Sequence, residues 1–433
     1  MALRKSLVQS GAGVAATLAV NLSLAVVIAR LVTPADIGTY SVGMAALAIL
    51  TVLRDFGVNR YLVQETELTE LRLRTAYTII TALSWFMAGA FYLCAPAFGA
   101  FYGDATLTRV MEVLALAFIG MPLTNVADAF LSREMRFGPL FRIHLPAGAI
   151  GGAVSIWLAL AGWGSLALAW GTVASFAALS ILSVVCMPRL LRLTPSLSDW
   201  RRVVSFGSWA TAAATIAQVG SRVPDLILGR VMGMAAVGIF SRAQSTADMF
   251  DTQIQCAVNL VALPATAEAN RSGRPIAETY VHAAECMIGL AFPFYLTVLL
   301  LAEPMVLLLF GDQWTAVVPL LQILCLGRMA RAITPATESI LAGLGEVRQL
   351  FRIELLSQAA MVALILGAAF LGLEAVAAAR ALALGLVVLL HLDTLRRHAG
   401  VPVRSLAFAA LRGIGVTAVV GAAVAASQAW LPS

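Results

Sequence analysis

The sequence predicts an all-α membrane protein of about thirteen transmembrane helices, arranged as two parallel six-helix lobes around a central cleft. Of its 433 residues, 60% are hydrophobic and 12% are charged, whereas soluble domains carry about 25% charged residues. Apolar runs of the ~20 residues that cross a bilayer recur along the whole chain. Short stretches of the first half also recur in the second half, which indicates an internal duplication.

The apolar runs define thirteen segments. A backbone surrounded by hydrocarbon must satisfy its own hydrogen bonds, so each segment is predicted to be helical. We expect the first segment to be retained as a helix, because it is too long for the apolar region of a signal peptide. The segments lie near residues 7–29, 38–53, 76–98, 108–131, 140–161, 164–187, 204–229, 237–263, 276–302, 315–341, 350–371, 373–392 and 404–431.

Three pairs of matching stretches support the duplication. ARLVTPADIGTYSV at 29–42 faces GRVMGMAAVGIFSR at 229–242, which places Gly38 opposite Gly238. FYGD at 101–104 faces LFGD at 309–312, and LFRIHL at 140–145 faces LFRIEL at 350–355. We therefore predict an N-terminal six-helix lobe (1–200), a C-terminal six-helix lobe (201–398) and an additional C-terminal transmembrane helix (399–433). Six helices per half imply parallel repeats related by a pseudo-two-fold axis along the membrane normal, which favours a transporter.

The loop arginines predict the orientation. Clusters such as Arg72 and Arg74, or Arg396 and Arg397, fall on the same side as the N-terminus. The positive-inside rule then places the N-terminus in the cytoplasm, and thirteen crossings place the C-terminus outside. The net charge of +6 is dispersed over these loops without a basic face, so we expect no nucleic-acid partner.

Polar side chains inside the segments are the candidate functional residues. An ionisable group at membrane depth costs about 2.5–3.5 kcal/mol on insertion scales, so it usually faces a cavity or a partner. In the eighth segment the spacing of three and four residues places the polar residues on one helix face. The candidates are Gln218, Arg222 and Asp225 in the seventh segment, Gln244, Asp248, Asp251, Gln255 and Asn259 in the eighth, and Arg328, Arg331 and Glu338 in the tenth.

Two interpretations of these residues stay open. In the first they line a water-filled cleft, where arginines bind a pyrophosphate through paired donors. The substrate-binding candidates are then Arg222, Arg328, Arg331, Gln218, Gln244, Gln255 and Asn259, and the carboxylates Asp225, Asp248, Asp251 and Glu338 are candidates for coupling to protons or another cation. In the second interpretation Arg222 neutralises Asp225 and Arg331 neutralises Glu338. Five polar residues on one face of the eighth segment exceed what helix pairing needs, which favours the cleft.

Catalytic chemistry is not expected. The sequence has no HExxH motif and no phosphate-binding loop. Its five cysteines form no CxxC or Cys/His cluster, so it predicts neither a metal site nor a cofactor.

Four motifs carry a family resemblance: Ala29 to Tyr40 (ARLVTPADIGTY), Asp55-Phe56-Gly57, Asp225 to Arg230 followed by Gly238 to Ala243, and Leu309 to Trp314. Together they resemble the polysaccharide transporters, or oligosaccharide (O-antigen type) flippases, of the multidrug/oligosaccharidyl-lipid/polysaccharide exporter superfamily. The resemblance covers at least residues 1–398. Thirteen segments depart from the twelve or fourteen helices that are usual in this family.

The resemblance implies transport of undecaprenyl-pyrophosphate-linked oligosaccharides from the cytoplasmic to the periplasmic leaflet of a bacterial inner membrane. The expected mechanism is alternating access, in the biosynthesis of lipopolysaccharide O-antigen or exopolysaccharide, beside glycosyltransferases and a polymerase. One alternative is a cation-coupled multidrug-type exporter of the same superfamily, for which buried arginines are less suitable. The other is a membrane glycosyltransferase or polymerase, which generally needs a larger extramembrane loop.

Overall fold

The computed structural model describes residues 20, 22–55, 58, 69–134, 136–188, 194–196, 198, 200–249, 251, 276–344 and 346–430, and every regular element in these ranges is helical. The helices are α1 (Leu22–Leu31), α2 (Pro34–Asp55), α3 (Glu70–Tyr102), α4 (Ala105–Ala115), α5 (Ala117–Arg133), α6 (Phe137–Leu160), α7 (Ser165–Cys186), α8 (Trp200–Val231), α9 (residues 234–249), α10 (Ile276–Leu300), α11 (Ala302–Phe310), α12 (Val317–Arg331), α13 (Thr337–Gly343), α14 (Val347–Ala368), α15 (Leu373–His398) and α16 (Val403–Trp430).

The predicted all-helical, multi-pass class is confirmed. Within the described ranges, eight helices are long and apolar enough to cross a membrane, or nine if the bent pair α4 and α5 forms one span. The number thirteen stays a prediction. The segments expected at 7–29 and 237–263 lie partly outside the described residues.

The repeated GD motifs lie at helix boundaries. Gly103 ends α3 with φ 69°, a left-handed conformation that glycine adopts without a steric penalty. Asp104 then caps α4, because its carboxylate accepts from the N–H of Thr106 at 2.8 Å, and it also accepts the hydroxyl of Thr39 on α2 at 2.9 Å. In the second half Gly311 also ends a helix, α11, at a positive φ of 94°, but with an extended ψ of 174°, before the 3₁₀ turn Asp312–Trp314.

The chain forms two compact units, Met1–Gly238 and Ile239–Ser433. Three helix pairings of the first unit, α3 with α5, α5 with α7 and α6 with α7, correspond to α10 with α12, α12 with α15 and α14 with α15 in the second. A duplicated chain would give this repetition. The lobes predicted at 1–200, 201–398 and 399–433 stay a prediction based on the sequence repeat.

Each unit has a buried apolar cluster where three or more chain segments meet. In the first unit Val58, Ala76 and Val126 belong to this cluster, with Tyr77 packed against it. In the second unit Tyr280, Ile340, Leu395 and Leu406 form the corresponding cluster.

The predicted additional helix, α16, packs along α10 in the second unit. Gly413 contacts Ile288 and Gly421 lies against Leu296, so small residues eight positions apart let the two helices approach closely. Arg412, at the same helix end as Gly413, donates to Glu285 of α10 at 3.2 Å.

The tenth predicted segment, 315–341, is broken in the structure. Helix α12 ends at Arg331 and α13 begins at Thr337, with Pro335 in the link and Ala336 at φ 50°. The corresponding segment of the first half is interrupted differently, since α4 and α5 meet at Leu116 with a bend of 40°. The two repeats therefore differ in where this helix is interrupted.

Candidate functional site

Three helices of the second unit bring Arg328 together with two carboxylates. The Nη1 atom of Arg328 on α12 donates to Asp251 Oδ2 at 2.7 Å, and its Nη2 atom donates to Asp248 on α9. The hydroxyl of fully buried Tyr295 on α10 donates to the other oxygen of Asp251 at 2.9 Å. Asp248 lies on α9 and Asp251 is a helical residue two positions past its end, so their spacing of three residues brings both carboxylates to the same guanidinium.

This arrangement occupies both terminal nitrogens of Arg328. Only 15% of its side chain is exposed, as is 15% of Asp251 and 27% of Asp248. A buried guanidinium held by two carboxylates is neutralised and oriented, and breaking such a pair leaves an uncompensated charge. In this conformation Arg328 and the two aspartates form a salt-bridge cluster, and Arg328 does not present an open anion-binding fork.

Arg331 bridges the break between α12 and α13. Its Nη1 atom donates to the carbonyl oxygen of Thr334 at 2.6 Å, and Nη2 donates to Glu338 Oε1 at 3.1 Å. The hydroxyl of Thr337 donates to the same Thr334 carbonyl at 3.1 Å. The geometry therefore corresponds to the interpretation in which Arg331 neutralises Glu338, although Glu338 is 62% exposed.

The guanidinium of Arg222 on α8 has different surroundings from those of Arg328 and Arg331. Arg222 precedes the buried residue Asp225 by three positions on the same helix. Its Nε atom is buried and has no hydrogen-bond partner. The side chain as a whole is partly exposed, and it acts electrostatically on Tyr40, whose hydroxyl shares a 2.7 Å hydrogen bond with Thr172.

Among the predicted polar residues that carry a side-chain amide, the structure describes Gln218 and Gln244. Gln218 precedes Arg222 by one helical turn on α8 and is partly buried. The Oε1 atom of Gln244 on α9 is buried without a hydrogen-bond partner. Gln255 and Asn259 lie outside the described residues. Both described glutamines thus have amide groups on helices that also carry predicted charged residues.

Sequence reasoning missed a cation–π cluster. The guanidinium of Arg242 on α9 lies 5.0 Å from the ring centroid of Phe310 and 5.4 Å from that of Trp314. Trp314 is fully buried and follows α11 in the LFGDQW stretch. In the sequence this stretch indicates only the internal repeat and the family resemblance, and nothing pairs it with a residue almost seventy positions earlier.

His391 on α15 was also missed. It is 2% exposed, its Nδ1 atom has no hydrogen-bond partner, and it lies within electrostatic range of Arg331. A single histidine in an apolar run gives no sequence signal of this kind.

Comparisons with known proteins agree with the fold and with the motifs. A family model described as "Polysaccharide biosynthesis protein" matches residues 27–319. The lipopolysaccharide biosynthesis protein WzxC of Escherichia coli (strain K12) is 24% identical over 348 residues, which cover 79% of this chain and 70% of that protein. The teichuronic acid biosynthesis protein TuaB of Bacillus subtilis (strain 168) is 22% identical, covering 68% of this chain and 61% of TuaB. The chain thus spans between 61% and 70% of the length of these relatives.

Solved transporter structures share the architecture. The lipid II flippase MurJ, in an inward closed conformation, superposes with a TM-score of 0.78 at 10% identity over 96% of this chain and 97% of its own. An inward-facing multidrug resistance transporter of the MATE family gives a TM-score of 0.70 at 13% identity, over 93% of this chain and 95% of its own. At these identities the likeness concerns the fold, and it confirms the predicted fold class.

Proposed function

The chain belongs to the polysaccharide biosynthesis protein family, and from this membership we propose that it is a flippase for lipid-linked oligosaccharides. It would carry its substrate from the cytoplasmic to the periplasmic leaflet by alternating access, during the synthesis of a surface polysaccharide. The relatives named for lipopolysaccharide and teichuronic acid biosynthesis support a sugar substrate. The shared fold of a lipid II flippase supports a lipid-linked one.

The observation that carries this proposal is the buried Nε atom of Arg222, which has no hydrogen-bond partner. An arginine cannot lose its charge in a protein, and at membrane depth it needs water or an anion. The buried Nε atom of Arg222 is left without a hydrogen-bond partner. A pyrophosphate headgroup offers the oxygens that this guanidinium lacks, because phosphate accepts paired hydrogen bonds from its planar fork.

The charged headgroup of the proposed substrate requires polar protein groups inside the membrane. A multiply charged headgroup in hydrocarbon costs many kcal/mol of desolvation, so a protein must offer it a polar passage across the ~30 Å apolar layer. In the proposed mechanism Arg222 meets the pyrophosphate, with Gln218 one turn away available to the sugar hydroxyls. Gln244, Gln255 and Asn259 remain further candidates along the same route.

The salt-bridge cluster of Arg328 is proposed as the coupling element. Protonation of Asp248 or Asp251 would weaken the hold on Arg328 and free its donors. Such a change links proton uptake to anion binding without a second binding site. Asp225 and Glu338 stay coupling candidates in this scheme, with Glu338 acting through its bond to Arg331.

A multidrug-type exporter is the second candidate, and the MATE-family structure favours it. An amphiphilic cation would be repelled by the positive charge of Arg222, whereas a pyrophosphate would be attracted. The same charge therefore discriminates between the two substrates.

The proposed location is the bacterial inner membrane with the N-terminus in the cytoplasm. The loop arginines support this orientation through the positive-inside rule. Glycosyltransferases that build the oligosaccharide and a polymerase that consumes it are the proposed partners. We propose no enzymatic activity and no cofactor for the chain itself.

A reconstituted flipping assay tests the proposal. Purified protein in vesicles is supplied with a fluorescent polyprenyl-pyrophosphate-linked sugar, and the fraction that reaches the outer leaflet is read by a membrane-impermeant quencher. Arg222→Ala should slow flipping about 10- to 100-fold, since a charge-assisted hydrogen bond contributes about 1.5–3 kcal/mol.

Arg230→Ala is the matched control, because Arg230 lies on the same helix and is exposed, with its guanidinium over Phe101. It should flip at the wild-type rate. Wild-type protein that moves a fluorescent cationic drug but not the pyrophosphate lipid would overturn the proposal.

A further inference from the structure

A pair of hydroxyl groups in the first unit lies near Arg222. The hydroxyl oxygen of Tyr40 on α2 is 2.7 Å from the Oγ1 atom of Thr172 on α7, and Tyr40 lies within electrostatic range of Arg222 on α8. All three side chains are partly exposed. In the sequence Tyr40 belongs only to the repeated stretch and the family motif, and Thr172 belongs to neither.

The three residues lie at similar depths along their helices. At a rise of 1.5 Å per residue, Tyr40 and Thr172 are each about 10 Å from the first residue of their helix, and Arg222 is about 14 Å from the last residue of α8. The beginnings of α2 and α7 are joined, because Asp36 Oδ1 accepts the N–H of Ser165 at 3.0 Å. Helix α2 also packs against α8. The site is therefore built from three helices of one unit.

The hydrogen bonds of Thr172 determine where the proton of Tyr40 lies. A threonine hydroxyl has a single proton, and Thr172 donates it to the carbonyl oxygen of Leu168, one turn earlier on α7, at 3.0 Å. Thr172 can then only accept from Tyr40. The Tyr40 proton is used in that bond, so the Tyr40 oxygen keeps the capacity to accept a hydrogen bond but has no proton to donate.

Arg222 and Tyr40 therefore differ in the hydrogen bonds that they can form with a ligand. A guanidinium only donates, and the buried Nε atom of Arg222 has no hydrogen-bond partner. The Tyr40 oxygen only accepts in this arrangement. An ionised phosphate has only acceptor oxygens, so it is suited to Arg222 and not to Tyr40. A sugar hydroxyl carries a proton and is suited to Tyr40.

We propose that Tyr40 is a specificity-determining residue, which accepts a hydrogen bond from a hydroxyl of the sugar linked directly to the pyrophosphate while Arg222 binds the pyrophosphate. Thr172 is a positioning residue, because it holds the Tyr40 proton away from the substrate. The inference rests on the proposed flippase function. It defines the substrate class more narrowly, as lipids whose first sugar presents a donor hydroxyl beside the phosphate.

Substrate analogues test this hydrogen bond on the wild-type protein. In each analogue one hydroxyl of the first sugar is replaced by hydrogen, and the same fluorophore is carried on an outer sugar. One analogue should be flipped about 3- to 10-fold less efficiently than the parent lipid, as the loss of one hydrogen bond requires. Wild-type protein that flips every analogue as efficiently as the parent lipid would overturn the proposal, without the need for any variant.

Tyr40→Phe should abolish this discrimination. The ring stays in place but has no oxygen, so flipping of the parent lipid should fall about 3- to 10-fold, to the level of the sensitive analogue. Tyr102→Phe is the matched control, because the hydroxyl of Tyr102 donates to the carbonyl oxygen of Leu226 at 3.1 Å. It should discriminate between the two lipids as the wild type does. Wild-type discrimination in Tyr40→Phe would exclude Tyr40 from sugar recognition.

The role of Thr172 has its own pair of variants. Thr172→Val removes the oxygen that accepts from Tyr40, so the Tyr40 proton is free to turn towards the substrate and the discrimination should fall. Thr172→Ser keeps the hydroxyl and should discriminate like the wild type. Equal discrimination by both variants would show that Thr172 does not position Tyr40.

Failure of this inference is distinguishable from failure of the proposed function. Wild-type protein that flips neither the parent lipid nor any analogue would overturn the flippase function. Wild-type protein that flips the parent lipid, with a discrimination that Tyr40→Phe leaves intact, would overturn only the role of Tyr40.

Discussion

Arg328 on α12 donates to Asp251, two positions past the end of α9, across 2.7 Å within the second compact unit. The partners lie far apart in the sequence, and the second carboxylate, Asp248, completes the same cluster. Both terminal nitrogens of Arg328 are therefore occupied, whereas the buried Nε atom of Arg222 has no hydrogen-bond partner.

Removal of Arg328 should destabilise the protein through the charges it leaves behind. Arg328→Met leaves Asp248 and Asp251 without their guanidinium, and breaking a buried pair costs about 3–5 kcal/mol. The melting temperature in detergent should fall clearly. The triple variant Arg328→Met, Asp248→Asn, Asp251→Asn should recover most of this loss while flipping stays low. A triple variant no more stable than the single one would contradict the salt-bridge cluster.

Asp248→Asn tests the coupling role. An amide keeps the shape of the side chain but cannot exchange a proton, so flipping should lose its dependence on the proton gradient. The flipping rate is measured in vesicles with and without an imposed gradient. Asp393→Asn is the control, because Asp393 is an exposed carboxylate bound to Arg397 at 2.9 Å. An unchanged gradient dependence in Asp248→Asn would exclude this residue from coupling.

Trp314 should be important for stability. Trp314→Ala removes a fully buried ring that packs beside Phe310 and lies under Arg242, and truncation of a buried aromatic side chain costs about 3–5 kcal/mol. Trp157, which is 69% exposed, provides the control. Its replacement by alanine should change stability by about 0.5 kcal/mol or less. Thermal unfolding in detergent compares the two, and similar melting temperatures would contradict the prediction.

The contact between α16 and α10 can be tested on a single helix. Gly413→Leu places a large side chain against Ile288, and overpacking of this kind costs about 1–3 kcal/mol. Gly415 has open space in the described structure, so Gly415→Leu should be neutral. Protease resistance of α16 in detergent is the measurement. Equal resistance of both variants would mean that α16 does not pack through Gly413.

Much of the fold was predictable because the hydrocarbon of the bilayer imposes helical structure on each apolar segment. Hydrocarbon offers a backbone no hydrogen-bond partner, so apolar runs of sufficient length become helices, and the ends of α6, α7 and α14 agree with the predicted segments within three residues. The break between α12 and α13 was less predictable. Pro335 marks the position, but prolines at 122, 224 and 293 lie inside continuous helices.

By itself, the sequence determined that the chain is helical and membrane-spanning, because composition and run length are properties of the chain alone; the duplication stays a prediction from its repeated motifs. Only the tertiary structure decided which charges meet. Helical periodicity predicts which residues share a face, as for Asp248 and Asp251, but it does not predict what that face contacts. The pairing of Arg328, the unpaired Nε of Arg222 and the hydrogen bond between Tyr40 and Thr172 all depend on how separate helices pack. Packing is a property of three-dimensional shape, and local spacing along the chain does not encode it.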